Sequence, residues 1–194
     1  MIFGHLVKEK INNELTAKEK NAIKLFNSNN IIYKDFRIGD LFDIHPTKAY
    51  RFTNVDLYKT IGNIPVLSNA SINNGIGGYI GLEPTETGNM ITFSDTTIGA
   101  ETIFYQPIDF IGYSHVQGLY PYQKNIWKEN SLIYFITAFK KTSGNQFNFS
   151  IKFNREIVSE MMVKLPTFPN NEIDFLFTEN FINGIKKLLL KDIL

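Results

Sequence analysis

Three histidines, His5, His45 and His115, and a few scattered carboxylates are the residues of this chain best suited to chemistry. Histidine exchanges protons and binds metals near neutral pH. The three lie far apart, however, and none has the spacing of a metal-ligand pair. His115 sits in Tyr113-Ser114-His115-Val116-Gln117, between apolar runs. Its plain reading is a hydrogen-bonding residue of a strand or loop; its functional reading is a contact to a phosphate or a base edge. Ser114 and His115 are not expected to act as a nucleophile and base, because adjacent strand residues point to opposite faces. Asp95 follows an apolar run in Ser94-Asp95-Thr96-Thr97 and reads first as a turn former. A hydrolase built on Asp95, Asp109 and His115 stays open as a minor reading. Other signatures are missing. No glycine is followed by Lys-Ser or Lys-Thr at phosphate-loop spacing, and Gly75-Ile76-Gly77-Gly78 lacks the third glycine of a dinucleotide site. The chain holds neither the Asn-Pro-Pro-aromatic motif that grips a flipped amino base nor an acid followed by an acid-x-Lys pair. With no cysteine, disulfides, thiolate zinc sites and Cys nucleophiles are excluded.

Polar side chains suited to recognition are more plentiful. Ile64–Gly81 reads IPVLSNASINNGIGGYIG, a short apolar run opening into uncharged Asn, Ser and Gly. Such a segment hydrogen-bonds in many directions on a backbone that bends freely. Between Ala138 and Arg155 the only charges are basic, Lys140, Lys141, Lys152 and Arg155, interleaved with Phe and with Thr142, Ser143, Asn145, Gln146 and Asn148. This is either a β-hairpin with ordinary surface lysines or a phosphate-contacting ribbon or loop. The net charge is only +1, so no global basic field argues for nucleic acid.

These residues must be positioned by one domain of ordinary size, or by one domain with an appended helix, since the chain has 194 residues. With 43% hydrophobic residues a substantial core is available. No apolar stretch approaches the roughly 18 residues of a membrane span, no signal peptide is expected, and the absence of cysteine fits a cytoplasmic location. Residues 5–28 read as helical, with Thr16-Ala17-Lys18-Glu19 as a capping box and Asn27–Asn30 as the stop. Strands are expected at Phe36–Ile38, Ile64–Leu67, Gly78–Ile80, Met90–Phe93, Thr102–Tyr105, His115–Tyr120 and Phe147–Phe153. Ile38–Phe42 is expected as a single helical turn, and Ile126–Phe139 as a helix. The clearest helix spans 172–193, with Ile173, Phe177, Phe181, Ile185, Leu188 and Leu189 on one face. Following Pro166 and Pro169, it is expected to leave the body as a partner or dimerisation arm on a short stiff hinge.

Taken in order, several segments resemble the target recognition domain of the specificity (S) subunit in type I restriction-modification systems, and similar modules of type IIB and IIG enzymes. They are Phe36–Ile44, Ile64–Asn69, Asn73–Tyr79, Ile91–Ser94, Ile103–Gln106 and Val163–Pro166 before the terminal helix. Each is weak alone; their order and spacing carry the resemblance, which covers about residues 34–190. It implies a mixed α/β fold: a compact, β-rich recognition domain with flanking helices, then a long C-terminal helix able to form a coiled coil. The expected divisions are 1–33, an N-terminal helical segment; 34–169, the recognition domain; and 170–194, the coiled-coil helix. It also implies a non-catalytic DNA-binding subunit with one recognition domain where a full S subunit has two. Such a half-subunit would read half of a bipartite site in double-stranded DNA and position an adenine methyltransferase (M) subunit, and through it a restriction (R) subunit, with possible homodimerisation through the helix. S-adenosylmethionine, ATP and Mg²⁺ would belong to the partners, with no cofactor on this chain. Base and phosphate contacts are expected from three loops: Lys48, Tyr50 and Arg51; Asn69, Ser71, Asn73 and Asn74; and Lys140, Lys141, Thr142, Asn145 and Gln146. Asn and Gln pair with adenine, Arg and Lys with guanine or phosphate. The alternative is a β-rich carbohydrate- or protein-binding module.

Overall fold

The capping box predicted at Thr16 is present. The Thr16 hydroxyl accepts from Glu19 N–H at 3.3 Å, and the Glu19 carboxylate accepts from Thr16 N–H at 2.7 Å. It starts α1 (Ala17–Asn27). The structure, a computed structural model, describes residues 14–95, 99–143 and 154–193. After α1 come β1 (Tyr33–Arg37), the helical turn α2 (Ile38–Leu41), β2 (Phe42–Pro46), the short α3 (Asn54–Leu57), β3 (Ile64–Leu67) and β4 (Ile76–Ile80). They are followed by β5 (Met90–Ser94), β6 (Phe104–Gln106), β7 (Val116–Pro121), α4 (Glu129–Ser143), α5 (Arg155–Glu160), β8 (Met162–Pro166) and α6 (Phe175–Ile193).

The fold is mixed α/β. A four-stranded antiparallel sheet runs β2-β7-β5-β6, and two antiparallel pairs, β1-β8 and β3-β4, flank it. The central strand β5 is buried on both faces, which is why Met90–Ser94 reads as an apolar run rather than an alternation. Ile91 and Phe93 point into the main core with Phe42, Leu119, Trp127, Leu132, Phe135 and Phe139. Met90, on the other face, packs in a second cluster with Leu67, Phe110 and Val116. Thus α4 covers one face and the β3-β4 hairpin leans on the other. Phe42 links strand to helix: its ring lies 4.9 Å from Trp127 and 4.8 Å from Phe135. Each fully buried ring of this kind stabilises the fold by roughly 1.5–3 kcal/mol.

Several elements differ from the sequence expectation. β1 begins earlier, at Tyr33, and Ile38 belongs to the following helical turn. β2 and β8 are absent from the strand expectation; their short alternations, at Phe42–His45 and Val163–Leu165, become strands by pairing with β7 and β1 respectively. Helix α4 runs on to Ser143, so Lys140, Lys141 and Thr142 lie in its last turn and not in a loop or hairpin. The strand expected at Phe147–Phe153 lies outside the described residues. Ile173 precedes α6 and bridges Thr167 instead of sharing the helix face.

The C-terminal helix does not leave the body. The Asp174 carboxylate caps it, accepting from Phe177 N–H at 2.8 Å, and α6 then lies along α1 and α4. Phe177 and Phe181 meet the Tyr134 ring edge-on, both at 6.1 Å, and Phe181 lies 4.6 Å from Phe26. Gly184 permits the approach to α1, since a β-carbon there would come within 2.9 Å of Ile23. Among the helix side chains described, Leu176, Leu188, Leu189 and Leu190 are the exposed large apolar ones. An ion pair clasps this contact: Lys187 Nζ is 2.9 Å from the buried Glu19 carboxylate. Burial pushes the Glu19 carboxyl up, but the hydrogen bond from Lys187, those from Thr16 and the Lys187 charge outweigh it, and its pKa is lowered. A lowered folded-state pKa stabilises above the unfolded value and is lost as pH falls through the folded one. Glu19→Gln should therefore cost about 1–3 kcal/mol at neutral pH. Denaturant titrations of wild type and variant should converge below the ordinary glutamate pKa of about 4.3.

Candidate nucleic-acid interface

The strand registers bring the predicted loops to one end of the four-stranded sheet. Pro46 at the end of β2 faces Gln117, and Ser94 at the end of β5 faces Val116, so the exits of β2 and β5 and the entry to β7 lie side by side. The first loop leaves at Thr47. Its backbone is held where Lys48 N–H donates to the Glu86 carboxylate at 2.6 Å and the Lys48 carbonyl accepts from the Thr85 hydroxyl. This leaves the Lys48 and Arg51 side chains exposed. Tyr50 is half-buried; its hydroxyl donates to the Glu83 carbonyl at 3.0 Å, and its ring stacks on Phe52 at 5.4 Å.

The second loop, between β3 and β4, is fastened to the same sheet. Asn69 Oδ1 accepts from the Ser94 hydroxyl at 3.2 Å. Asn73, Asn74 and Gly75 all have positive φ, of 51°, 54° and 74°. Asn and Gly are the residues that tolerate this region. Asn74 turns inward: its Nδ2 donates to the Tyr105 carbonyl at 2.9 Å and to Gln106 Oε1 at 3.2 Å, while Gln106 Nε2 returns a bond to the Asn74 carbonyl at 3.1 Å. Asn73 and Ser71 are exposed, with Asn73 Nδ2 donating locally to the Ile76 carbonyl.

Phe104 joins this loop to the third group. Gly75 packs against its ring, and Lys140 Nζ lies 5.6 Å from the ring centroid. A cation over an aromatic face is attracted to it while keeping its charge toward solvent. Lys141 is exposed one residue further along α4, and the Thr142 hydroxyl bonds back to the Ala138 carbonyl at 3.1 Å. Asn145 and Gln146 lie outside the described residues.

Near the starts of β2 and α4, Arg37 pairs with Asp40 and Glu160 and Lys186 with Glu129, while Lys124 and Lys128 enter no ion pair among the described residues. Among the described residues, Lys48, Arg51, Lys140 and Lys141 enter no ion pair. Of these, Lys141 turns toward α1 and β1, beside Phe26 and Tyr33, while unpaired cations near exposed amides suit a polyanion whose surface also carries hydrogen-bonding groups.

The structure adds Asp95, His115 and Gln117 to this end. Asp95 and His115 are the last and first residues beside neighbouring strands, and their side chains come within 3.2 Å. The sequence reads Asp95 as a turn former and His115 as a strand or loop residue or a contact to a phosphate or base edge, but their adjacency is created only by the β5-β7 register. Asp109 is elsewhere, accepting from Gly88 N–H at 2.8 Å, so the three residues of the hydrolase reading do not converge. Among the described residues no helix is long and apolar enough to cross a membrane.

The burial difference within the second loop separates scaffold from contact. Asn74→Gly, which keeps the positive φ, should lower stability by about 1–2 kcal/mol, since the Tyr105 carbonyl and Gln106 Oε1 lose the donor that Asn74 Nδ2 supplies. Asn73→Gly at the exposed tip, which suits the positive φ, should change it by less than about 0.5 kcal/mol. Urea unfolding of both variants checks the contrast.

The family model described as the type I restriction modification DNA specificity domain matches residues 30–193. A comparison with curated proteins found no match. Among solved structures, the chain is similar to the S subunit of a type I restriction-modification system from M. genitalium, at 15% identity and a TM-score of 0.56. It is also similar to the HsdS subunit from Thermoanaerobacter tengcongensis, at 12% identity and a TM-score of 0.52. Each likeness covers 90% of this chain and 46% of the other, so the chain spans about half the length of these subunits. At such identities the likeness is one of fold. The match over residues 30–193 shows that the chain belongs to the type I restriction modification DNA specificity domain family.

Proposed function

We infer that this chain is a non-catalytic DNA-recognition subunit that reads one half of a bipartite target and positions an adenine methyltransferase on it. The observation that carries this is that Lys48, Arg51 and Lys140, none in an ion pair among the described residues, are exposed on the side of the sheet from which the Asn69–Asn74 loop emerges. Lysine and arginine on phosphates set register, while amides and guanidinium groups distinguish base edges. Asn69, Ser71 and Asn73 and the Arg51 guanidinium are the groups proposed to read bases; Lys48 and Lys140 are proposed to hold phosphates. Asn74, Tyr50 and Thr142 spend a donor inside the fold and are assigned mainly to shaping the loops.

The recognition unit is assigned to residues 34–169. Residues 170–194 would carry the partner surface through the exposed Leu188 and Leu189, with a second copy or the methyltransferase subunit as occupant. A second copy would restore the two recognition domains of a full-length specificity subunit. Methyl transfer, with S-adenosylmethionine, would belong to the partner, which extrudes the target base.

Selection from a random duplex pool, with and without the methyltransferase subunit, tests the reading. Enrichment of a short half-site, or of a palindrome with a constant gap, is the expected result; no enrichment in either arm contradicts it. Lys48→Ala and Lys140→Ala should weaken binding about equally on all sequences. Each should reduce the slope of log affinity against log salt by about 1. A sugar- or protein-binding module would show no comparable slope.

A further inference from the structure

His115 occupies a position that a β-turn normally gives to glycine. Val116 N–H donates to the Tyr113 carbonyl at 3.1 Å, and His115, third in this turn, has φ of 66°. Glycine or asparagine adopts that conformation at low cost, whereas a larger side chain is strained there. The ring is nonetheless held outward, 62% exposed, at the sheet end from which the polar and basic loops emerge. Behind it lies a fixed carboxylate. Asp95 Oδ1 is 3.2 Å from His115 Nδ1, within ion-pair distance but outside hydrogen-bond geometry. Asp95 N–H donates to the His115 carbonyl at 3.0 Å, tying the two backbones together. Asp95 Oδ2 accepts from Gln117 Nε2 at 2.8 Å, and Gln117 is only 3% exposed, so the carboxylate is clamped from beneath. A strained backbone, an outward ring and a clamped carboxylate exceed what a turn requires.

We propose that His115 reads a base edge of the DNA target, with Asp95 as the positioning residue that decides which ring nitrogen carries the proton. This rests on the DNA-recognition reading above. A neutral imidazole has one N–H and one lone-pair nitrogen. The negative charge beside Nδ1 favours the proton there, leaving the Nε2 lone pair outward. The major-groove groups that donate to such an acceptor are the exocyclic amino groups of adenine and cytosine. Lysine and arginine cannot accept hydrogen bonds. His115 therefore supplies a capacity that the neighbouring cations lack.

The test uses the full-length chain in mildly alkaline buffer. Wild type, His115→Gly and Asp95→Asn are titrated on the selected duplex and on duplexes changed at single base pairs. Glycine suits the positive φ, so thermal unfolding of His115→Gly should be no lower than that of wild type, and binding then reports the ring alone. The expected result is a roughly tenfold loss of discrimination at one base pair. Affinity for non-specific DNA and the salt slope should be unchanged. In Asp95→Asn the negative charge beside Nδ1 is removed, and with it the bias that holds the ring proton there. Preference for an amino-bearing base at that same position should weaken, with affinity for non-specific DNA unchanged. Unchanged discrimination in His115→Gly overturns the proposal. So does a uniform loss on every duplex with a salt slope reduced by about 1, which marks a phosphate contact. If wild type selects no sequence, the DNA reading itself fails, and this proposal with it.

Discussion

The packing of α4 across the four-stranded sheet is the constraint on which the rest of the molecule depends. Phe42 on the edge strand β2 meets both Trp127 and Phe135, while Ile91, Phe93 and Leu119 complete the contact from the central strands. This places the C-terminal end of α4 beside Phe104 and sets the height of Lys140 above it. On its outer side the same helix receives α6 through Tyr134, Phe177 and Phe181. One helix thus couples the loop-bearing end of the sheet to the C-terminal helix. A partner docked on α6 would touch an element rigidly continuous with the candidate DNA face.

Arg37 and Lys186 are neutralised by nearby acids. Lys48 and Arg51, by contrast, extend from a loop whose backbone, not side chains, is pinned by Thr85 and Glu86. Pinning the backbone holds a flexible cation near its working position without consuming its charge. The second loop follows the same division of labour: Asn74 and Gly75 fasten it to Gln106 and Phe104, and Asn73 and Ser71 stand at the tip.

Local signals were readable wherever one short segment contained all of its own determinants. The capping box at Thr16 and Glu19, the helical turn at Ile38–Leu41, and the apolar runs of β3 and β5 belong to this class. The segments that were missed, β2 and β8, carry only short alternations and become strands by pairing with a distant partner. The end of α4 was misread for a related reason: Lys140–Ser143 is polar enough to resemble a loop, but packing of Phe139 in the core carries the helix past it.

The sequence by itself determined the Asn- and Gly-rich loop, the run of basic residues without an acid and the amphipathic terminal helix, all of which follow from residue types and periodicities within a few turns of chain. The mixed α/β class came from the resemblance, carried by the order and spacing of several segments along the chain. Only the tertiary structure decided that three loops distant in sequence share one sheet end, and that Asn74 faces inward while Asn73 faces out. It alone laid α6 against α1 and α4, and it alone set Asp95 beside His115. Each depends on strand register or helix docking, where contacts between residues far apart in the chain outweigh local preference, and no local pattern encodes which distant segment will be the neighbour.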